Sequence, residues 1–299
     1  MKLKDSINIP SVTIIVPVYN AEGVLKSCIK SILDLDYPKE KLELIFVDNN
    51  SNDKSYKILQ KYISRIKLLK EMKQGPAAAR NKGIKHASHE IIVFTDADSI
   101  ADKEWLKNLI DPLVKNKDIC MVGGSILAKR PCNKIEKYGE IIHDHEKAIK
   151  YLKPPYFITM NVAIWKKDIL EAGMFDENFL RGEDVDLSFR LHKEGCKFEF
   201  APEAVIFHKN ESNLLGLFNE GFLHGFWNIK VRIKHNISII KPKNVFLMIY
   251  LKLFFIFLNA SFKIFFLNNE SEHRLYDTAF RLGKEIGKFC YAVKYKILY

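Results

Sequence analysis

The stretch Ile91-Ile92-Val93-Phe94-Thr95-Asp96-Ala97-Asp98-Ser99 places an unbroken apolar run directly before two carboxylates spaced by one residue. A short, continuous run of this kind, rich in β-branched residues, reads as a strand buried on both faces, which is the habit of parallel sheets covered by helices. Two uncompensated carboxylates at the end of a buried strand repel each other and are costly to dehydrate unless they share a cation. A hard divalent ion, manganese or magnesium, meets that need, because it takes one or two carboxylates and fills its remaining positions with diphosphate oxygens and water. Asp96 and Asp98 are therefore expected to be metal ligands.

Working outward, the same alternation recurs on both sides. Strands are expected at Val12–Val18, Leu42–Val47, Lys67–Lys70, Ile119–Ile126, Thr159–Trp165, Lys197–Ala201 and Ala204–His208. Amphipathic stretches fill the gaps, among them Ala21–Leu33, Ala77–His86 and Lys103–Val114, the last behind an Asp102 suited to an N-cap. The pattern predicts an α/β architecture, a mostly parallel, Rossmann-like sheet flanked by helices. It covers residues 1–209 as one domain, and residues 210–299 form a helical, basic extension.

Ligands of such sheets bind outside the carboxyl ends of the strands, so the residues found there matter. After the first strand comes Pro17-Val18-Tyr19-Asn20-Ala21-Glu22, for which a turn capped by Asn20 is an equally good local account. After the second come Asp48-Asn49-Asn50-Ser51-Asn52-Asp53, more polar groups than a cap needs, and Asp48 is placed to accept an N–H from a base edge. Gln74-Gly75-Pro76-Ala77-Ala78-Ala79-Arg80-Asn81 opens a helix with small residues that permit close approach by backbone or ligand. Its Arg80 either faces a phosphate or holds the acidic loops in place, or else is an ordinary solvated cation on a helix. Further on, Gly182-Glu183-Asp184-Val185-Asp186 begins a helix with three carboxylates, where the helix dipole alone accounts for one. One of the three is expected to act as a base. His208, closing a strand, is a possible neutral imidazole ligand.

In order along the chain, Pro-Val-Tyr-Asn, Val-Asp-Asn-Asn-Ser, Gly-Pro-Ala-Ala-Ala-Arg-Asn, Thr-Asp-Ala-Asp-Ser and Gly-Glu-Asp-Val-Asp-Leu-Ser-Phe-Arg resemble glycosyltransferase family 2 over residues 11–209. The resemblance implies a GT-A fold, a nucleotide-diphospho-sugar donor (UDP-linked in the first instance), a divalent metal, and inversion at the anomeric carbon. It implies that Pro17, Tyr19, Asn20, Glu22, Asp48 and Arg80, with Asp96, line the nucleotide site. It makes Asp96, Asp98 and His208 the metal set, Asp184 the base, with an ordinary carboxylate pKa sufficing, and Glu183 an acceptor-side group. Asn49-Asn50 departs from the Asp-Gly of many relatives. The Gln-x-x-Arg-Trp motif of processive synthases is missing after Asp184, which favours transfer of a single sugar to a glycan or lipid-linked acceptor, as in cell-surface glycan or glycolipid synthesis. Two other functions fit parts of the pattern. A sugar-phosphate nucleotidyltransferase needs a Gly-rich basic loop where Pro17-Val18-Tyr19-Asn20 stands. A non-catalytic sugar-nucleotide-binding protein on a membrane surface would not need Asp96, Asp98 and Asp184 together.

The net charge of +11 over 299 residues does not indicate nucleic acid, because it is unevenly spread. Residues 204–299 hold 14 Lys+Arg against 6 Asp+Glu, net +8, which leaves +3 for residues 1–203. Within the basic part runs Val245–Leu267, 23 residues and long enough to span a membrane. Lys252, Asn259 and Lys263 interrupt it, and at 100° per residue they fall within about 40° of one another on a helical wheel. That narrow polar stripe favours a helix lying in the membrane interface over a true span or a buried helix. A membrane surface is thus an expected partner. The opening residues contain no apolar signal segment, and the five cysteines show no zinc spacing, so they are expected to be reduced thiols. Catalysis is accordingly expected on the cytoplasmic side of a membrane, with the chain peripheral or anchored through its C-terminal part.

Overall fold

The computed structural model describes residues 9–237, 251, 254, 255, 258 and 269–296. The expected run Val245–Leu267 lies mostly outside the described residues. The chain forms two compact units, one of Met1–Leu127, Asp144–Asn178 and Glu183–His208, the other of Ala128–His143, Phe179–Gly182 and Lys209–Tyr299. The second unit thus includes two short segments from within the stretch read as the first domain.

The first unit is built on an eight-stranded sheet in the order β3-β2-β1-β4-β7-β6-β8-β5. Its strands are β1 (Val12–Val18), β2 (Leu42–Asp48), β3 (Lys67–Lys70), β4 (Ile91–Thr95), β5 (Ser99–Ala101), β6 (Ile119–Ala128), β7 (Asn161–Trp165) and β8 (Lys197–His208). The sheet is mixed, not mostly parallel as expected. β3, β2, β1 and β4 run parallel, but β4/β7, β7/β6 and β8/β5 pair antiparallel. Apolar runs report burial on two faces and carry no information on strand direction, so this half of the sheet was not legible.

Between α1 (Leu25–Leu33) and α2 (Ser55–Gln60) on one side and α3 (Pro76–His86) on the other, β1, β2 and β4 bury nearly every side chain. β1 is flanked by β2 and β4, and its pairing with β4 ends at Ile15↔Phe94, two residues before Pro17. Proline has no N–H to offer a ladder. The carboxyl ends of β1 and β4 therefore separate where the strand order reverses, which is where open α/β sheets bind ligands. Helix α3 lies close on β1: a Cβ added to Gly83 would collide with Ile15. α4 (Trp105–Lys115) starts later than expected, with Glu104 at its cap, while the Asp102 carboxylate accepts the Glu104 N–H at 3.1 Å in the preceding turn. The remaining helices of this unit are α6 (His145–Tyr151), α7 (Lys166–Glu171) and α8 (Glu183–Lys193).

Cys120 at the start of β6 and Cys196 just before β8 are joined as a disulfide, with Cα atoms 5.7 Å apart. This corrects the expectation of five free thiols. The two stand 76 residues apart in sequence, and only the folded sheet makes them neighbours.

The second unit contains α5 (Lys134–Ile142), α9 (Leu214–Lys234) and α10 (Asn269–Lys294). Asn133 and Asn213 cap α5 and α9 by accepting N–H groups from Glu136 and Gly216 at 2.9 Å each. α9 and α10 meet backbone to backbone: a Cβ on Gly221 would collide with the carbonyl of Phe280, one on Gly225 with that of Lys284, and those on Gly283 and Gly287 with the carbonyls of Phe218 and Phe222. Among the described residues no helix is long and apolar enough to cross a membrane.

Candidate active site

Three loops of the first unit converge. The loop after β1 is stitched to the loop after β2: Asn20 Oδ1 accepts the Asn52 N–H at 2.8 Å, Glu22 Oε2 accepts the Lys54 N–H at 3.0 Å, and Ser55 and Asp53 accept the N–H groups of Ala21 and Glu22. Asn20 and Glu22 thus brace the loops, leaving Tyr19, 51% exposed, as the aromatic face this loop presents. Asp48 at the end of β2 is fully buried; its Oδ2 accepts the Ser51 N–H at 3.4 Å, and its Oδ1 has no partner among the described residues. An orphaned buried carboxylate oxygen is costly unless a donor reaches it, and the N–H of a nucleobase is such a donor.

Asn49 and Asn50 stand at the loop after β2. Asn50 adopts φ 59°, the left-handed region that asparagine tolerates. Asn49 donates to the carbonyls of Glu71 and Lys73 and accepts the Gly75 N–H at 2.8 Å, which ties the β2 loop to the entrance of α3.

On α3, Arg80 is 3% exposed and donates to Asp96 Oδ1 at 2.8 Å and to Glu183 Oε1 at 2.6 Å. Burial lowers its pKa, but Asp96 and Glu183 outweigh that and hold it above the usual guanidinium value. In this arrangement Arg80 bridges the acidic loops after β4 and at the start of α8. Asn81 beside it grips the segment leading to α8, accepting the Phe175 N–H at 3.0 Å and donating to the Phe175 carbonyl and Glu177. The chain Asp96–Arg80–Glu183 therefore joins the end of β4 to the start of α8. Glu183, expected on the acceptor side, is 5% exposed and turned to Arg80. Asp186 is fully buried and held by Arg190, which also donates to the carbonyls of Ala172 and Met174.

Among the described residues, Asp184 is the member of the acidic trio with no ion pair to a basic side chain. It is partly buried, its Oδ1 accepts the Val185 N–H at 2.8 Å, and its carboxyl is pushed up to about 7, by burial first and by the charge of Glu183 next. An ordinary aspartate pKa was expected; the enclosure explains the difference. Sequence reasoning also missed Tyr156, whose phenol is raised to about 12 by burial and by the charge of Asp184. No motif in the sequence signals it.

At the far side of β4, β5 pairs antiparallel with the end of β8 in the register Ser99↔His208. The pairing brings His208 Nε2 to 3.3 Å from Asp98 Oδ2 across 110 residues of sequence. The carboxylate is a donor suited to manganese or magnesium, and the imidazole beside it, when neutral, is a further metal-ligating group. Asp96, expected to be the third ligand, directs Oδ1 to Arg80, and among the described residues no group of three or more His, Cys, Asp or Glu side chains is arranged to hold a metal. An ion here would rest on Asp98 and His208 and on oxygens of the diphosphate.

Residues 13–173, just over half of the chain, match the family described as Glycosyl transferase family 2. The chain belongs to that family. A relative from Haloferax volcanii, "Glycosyltransferase AglE", is 27% identical over 206 residues, 67% of each chain. "GalNAc(5)-diNAcBac-PP-undecaprenol beta-1,3-glucosyltransferase" of Campylobacter jejuni is 31% identical over 194 residues, 62% of this chain and 60% of the relative. Among solved structures, the mannosyltransferase PcManGT of Pyrobaculum calidifontis, in complex with GDP-Man and Mn2+, superposes with a TM-score of 0.68 at 19% identity, covering 94% of this chain and 87% of its own. That likeness establishes the GT-A-like fold. As a family-2 glycosyltransferase, this protein transfers sugars in glycan or glycolipid synthesis.

Proposed function

We propose that this family-2 glycosyltransferase moves one hexose-type sugar from a UDP-sugar to a hydroxyl of a lipid-linked glycan, with inversion, at the cytoplasmic side of a membrane. The observation that carries the reading is the ion-pair chain Asp96–Arg80–Glu183, which holds a half-buried carboxyl poised near neutral pH at a fixed remove from the carboxylates after β4. In this reading Asp184 takes the acceptor proton on Oδ2, since Oδ1 accepts the Val185 N–H. The acceptor oxygen forms its bond to the anomeric carbon as the bond to the diphosphate breaks on the opposite face. A base whose pKa lies near the working pH combines a deprotonated population with useful basicity. Asp98 and His208 would hold a divalent ion, whose Lewis acidity offsets the charge of the leaving diphosphate. Arg80, already neutralised by two carboxylates, keeps the two loops in register instead of meeting the diphosphate. Tyr19 and Asp48 offer a ring face and an acceptor to the nucleotide.

The Campylobacter relative's name specifies a PP-undecaprenol acceptor, which favours a lipid-linked one here. The PcManGT complex holds GDP-Man, so GDP-sugars stand beside UDP-sugars as the donor class to be tested. The test is calorimetry of the purified protein with UDP or GDP, with and without manganese, followed by transfer assays with the matching sugar panel. Metal-dependent binding of one nucleoside diphosphate is expected, and Asp98→Asn should abolish the metal dependence. Equal affinity in wild type and Asp98→Asn would remove Asp98 from the site, and a chain that binds donors but neither transfers nor hydrolyses them would overturn the catalytic reading.

A further inference from the structure

Between α6 and β7 the chain runs Leu152-Lys153-Pro154-Pro155-Tyr156-Phe157-Ile158, and a set of contacts within the first unit fixes its last residues. His145 of α6 is 2% exposed, and its Nδ1 lies 2.9 Å from the Gly124 carbonyl of β6. A carbonyl only accepts, so Nδ1 carries the proton and Nε2 accepts the Ile158 N–H, at 2.8 Å. The neutral ring is thus a clamp between β6 and the segment. One residue back, the Phe157 N–H is donated to Ser188 Oγ at 3.3 Å. Ser188 is fully buried on α8, one turn after Asp184. The Phe157 ring fills the core, 4.8 Å from that of His145 and 5.6 Å from that of Phe198, and a Cβ on Gly123 would collide with it. The backbone that follows Tyr156 is therefore held to β6 and to α8 at once.

That anchoring sets Tyr156 beside the first turn of α8. Its partly buried phenol lies in the field of the Asp184 carboxylate, and burial and that charge together keep it protonated at neutral pH, a donor and not a second base. Among the described residues no group hydrogen-bonds to the Tyr156 hydroxyl, and on Asp184 the one bond made is that of Oδ1 to the Val185 N–H. Polar groups withdrawn from water are normally satisfied. A phenol O–H and a carboxylate oxygen left open side by side suit a ligand that offers an oxygen to the one and a hydroxyl to the other. Adjacent ring carbons of a sugar carry such a pair.

We propose that Tyr156 is an acceptor-binding residue: its phenol donates to the acceptor oxygen next to the hydroxyl that Asp184 deprotonates, so the site selects sugars with oxygens on adjacent ring carbons. The assignment rests on the base role of Asp184 proposed above, and the experiment keeps the two apart. Wild type and Tyr156→Phe, a change that removes one hydroxyl and leaves the ring in place, are compared in three assays on the purified full chain. These are calorimetry with nucleoside diphosphate, hydrolysis of the donor by water, and transfer to the octyl glycosides of glucose, galactose, N-acetylglucosamine and N-acetylgalactosamine. The best of the four is then tested as its monodeoxy analogues. Tyr156→Phe is expected to raise the acceptor KM about tenfold or more, while Tm, nucleotide Kd and the rate of donor hydrolysis stay within about twofold of wild type. In wild type, the analogue lacking the oxygen beside the reacting hydroxyl should have a kcat/KM about tenfold or more below that of its parent, and in Tyr156→Phe the two should be used about equally. Discrimination that persists in Tyr156→Phe, or donor hydrolysis that falls in step with transfer, would overturn the assignment and leave Asp184 as the base. A wild type that hydrolyses donors but uses none of the four glycosides would overturn the acceptor class. One that neither transfers nor hydrolyses any donor would overturn the catalytic reading, and this assignment with it.

Discussion

Asp184 has its charge set by its neighbours, and its titration is a measurable consequence. Its folded carboxyl, at about 7 against an ordinary 3.8, holds a proton more tightly than it does in the unfolded chain. Ionising it therefore costs folding free energy, with no cost below pH about 4 and the full cost above about 7. Activity runs the other way, since the base works only when deprotonated: kcat/KM is expected to rise with pH through about 7. Asp184→Asn should keep donor affinity, lower turnover by roughly 10²–10⁴-fold, and raise Tm at pH 8 while leaving it unchanged at pH 4. Turnover within a few-fold of wild type would point to another base, with the buried and paired Glu183 and Asp186 both poor substitutes. Arg80 offers a second test at this scale, because a lysine is a single point charge and cannot fork between Asp96 and Glu183. Arg80→Lys is expected to lower Tm and to cut turnover about 10- to 100-fold, with the Kd for nucleoside diphosphate nearly unchanged. A matching loss in nucleotide affinity would show instead that Arg80 meets the diphosphate. The sequence left both roles open for Arg80 because a lone cation on a helix carries no record of its partners, which lie 16 and 103 residues away.

At the scale of elements, what could be read was what burial imposes. β1, β3 and β4 match the expected bounds because each is a short run with an apolar centre cut off by polar or turn residues. β5, only three residues long, has no pattern to announce it, yet its pairing with β8 is what carries His208 to Asp98. Strand direction and the Cys120–Cys196 pairing were illegible for the same reason: both are relations between segments far apart in sequence. The α9–α10 pair was equally silent, since glycines in a helical pattern read locally as weak points, costing about 1 kcal/mol each against alanine. Here they are the contact surface. Gly225→Ala, which would improve an isolated helix, is expected to lower Tm instead, because its methyl group meets the Lys284 carbonyl. Thermal unfolding followed by circular dichroism, with limited proteolysis of α10, checks this. A raised Tm would mean that the two helices are not held as closely as the structure places them.

For the whole molecule, the split of charge between residues 1–203 at net +3 and 204–299 at net +8 predicts that salt separates attachment from chemistry. Each Lys or Arg near an anionic surface contributes about 1 kcal/mol, an attraction that fades within a Debye length. That length shrinks from about 10 Å at 0.1 M salt to about 3 Å at 1 M. Exposed apolar side chains in the basic part of the chain, Leu251, Phe254, Phe255 and Leu258 among them, are not screened in this way, since burial of apolar surface is not an interaction between charges. Partitioning onto anionic vesicles is therefore expected to fall by tenfold or more between about 0.05 and 0.5 M sodium chloride without vanishing, and partitioning onto neutral vesicles to change little. Turnover of a water-soluble acceptor should stay within about twofold over the same range, because the charges around Asp184, Glu183 and Arg80 lie in a partly or fully buried network where screening is weak. Flotation and transfer measured on one protein preparation test both halves. Loss of transfer in step with loss of vesicle binding would tie catalysis to the bilayer itself, and salt-insensitive binding would leave apolar contacts as the whole of the attachment.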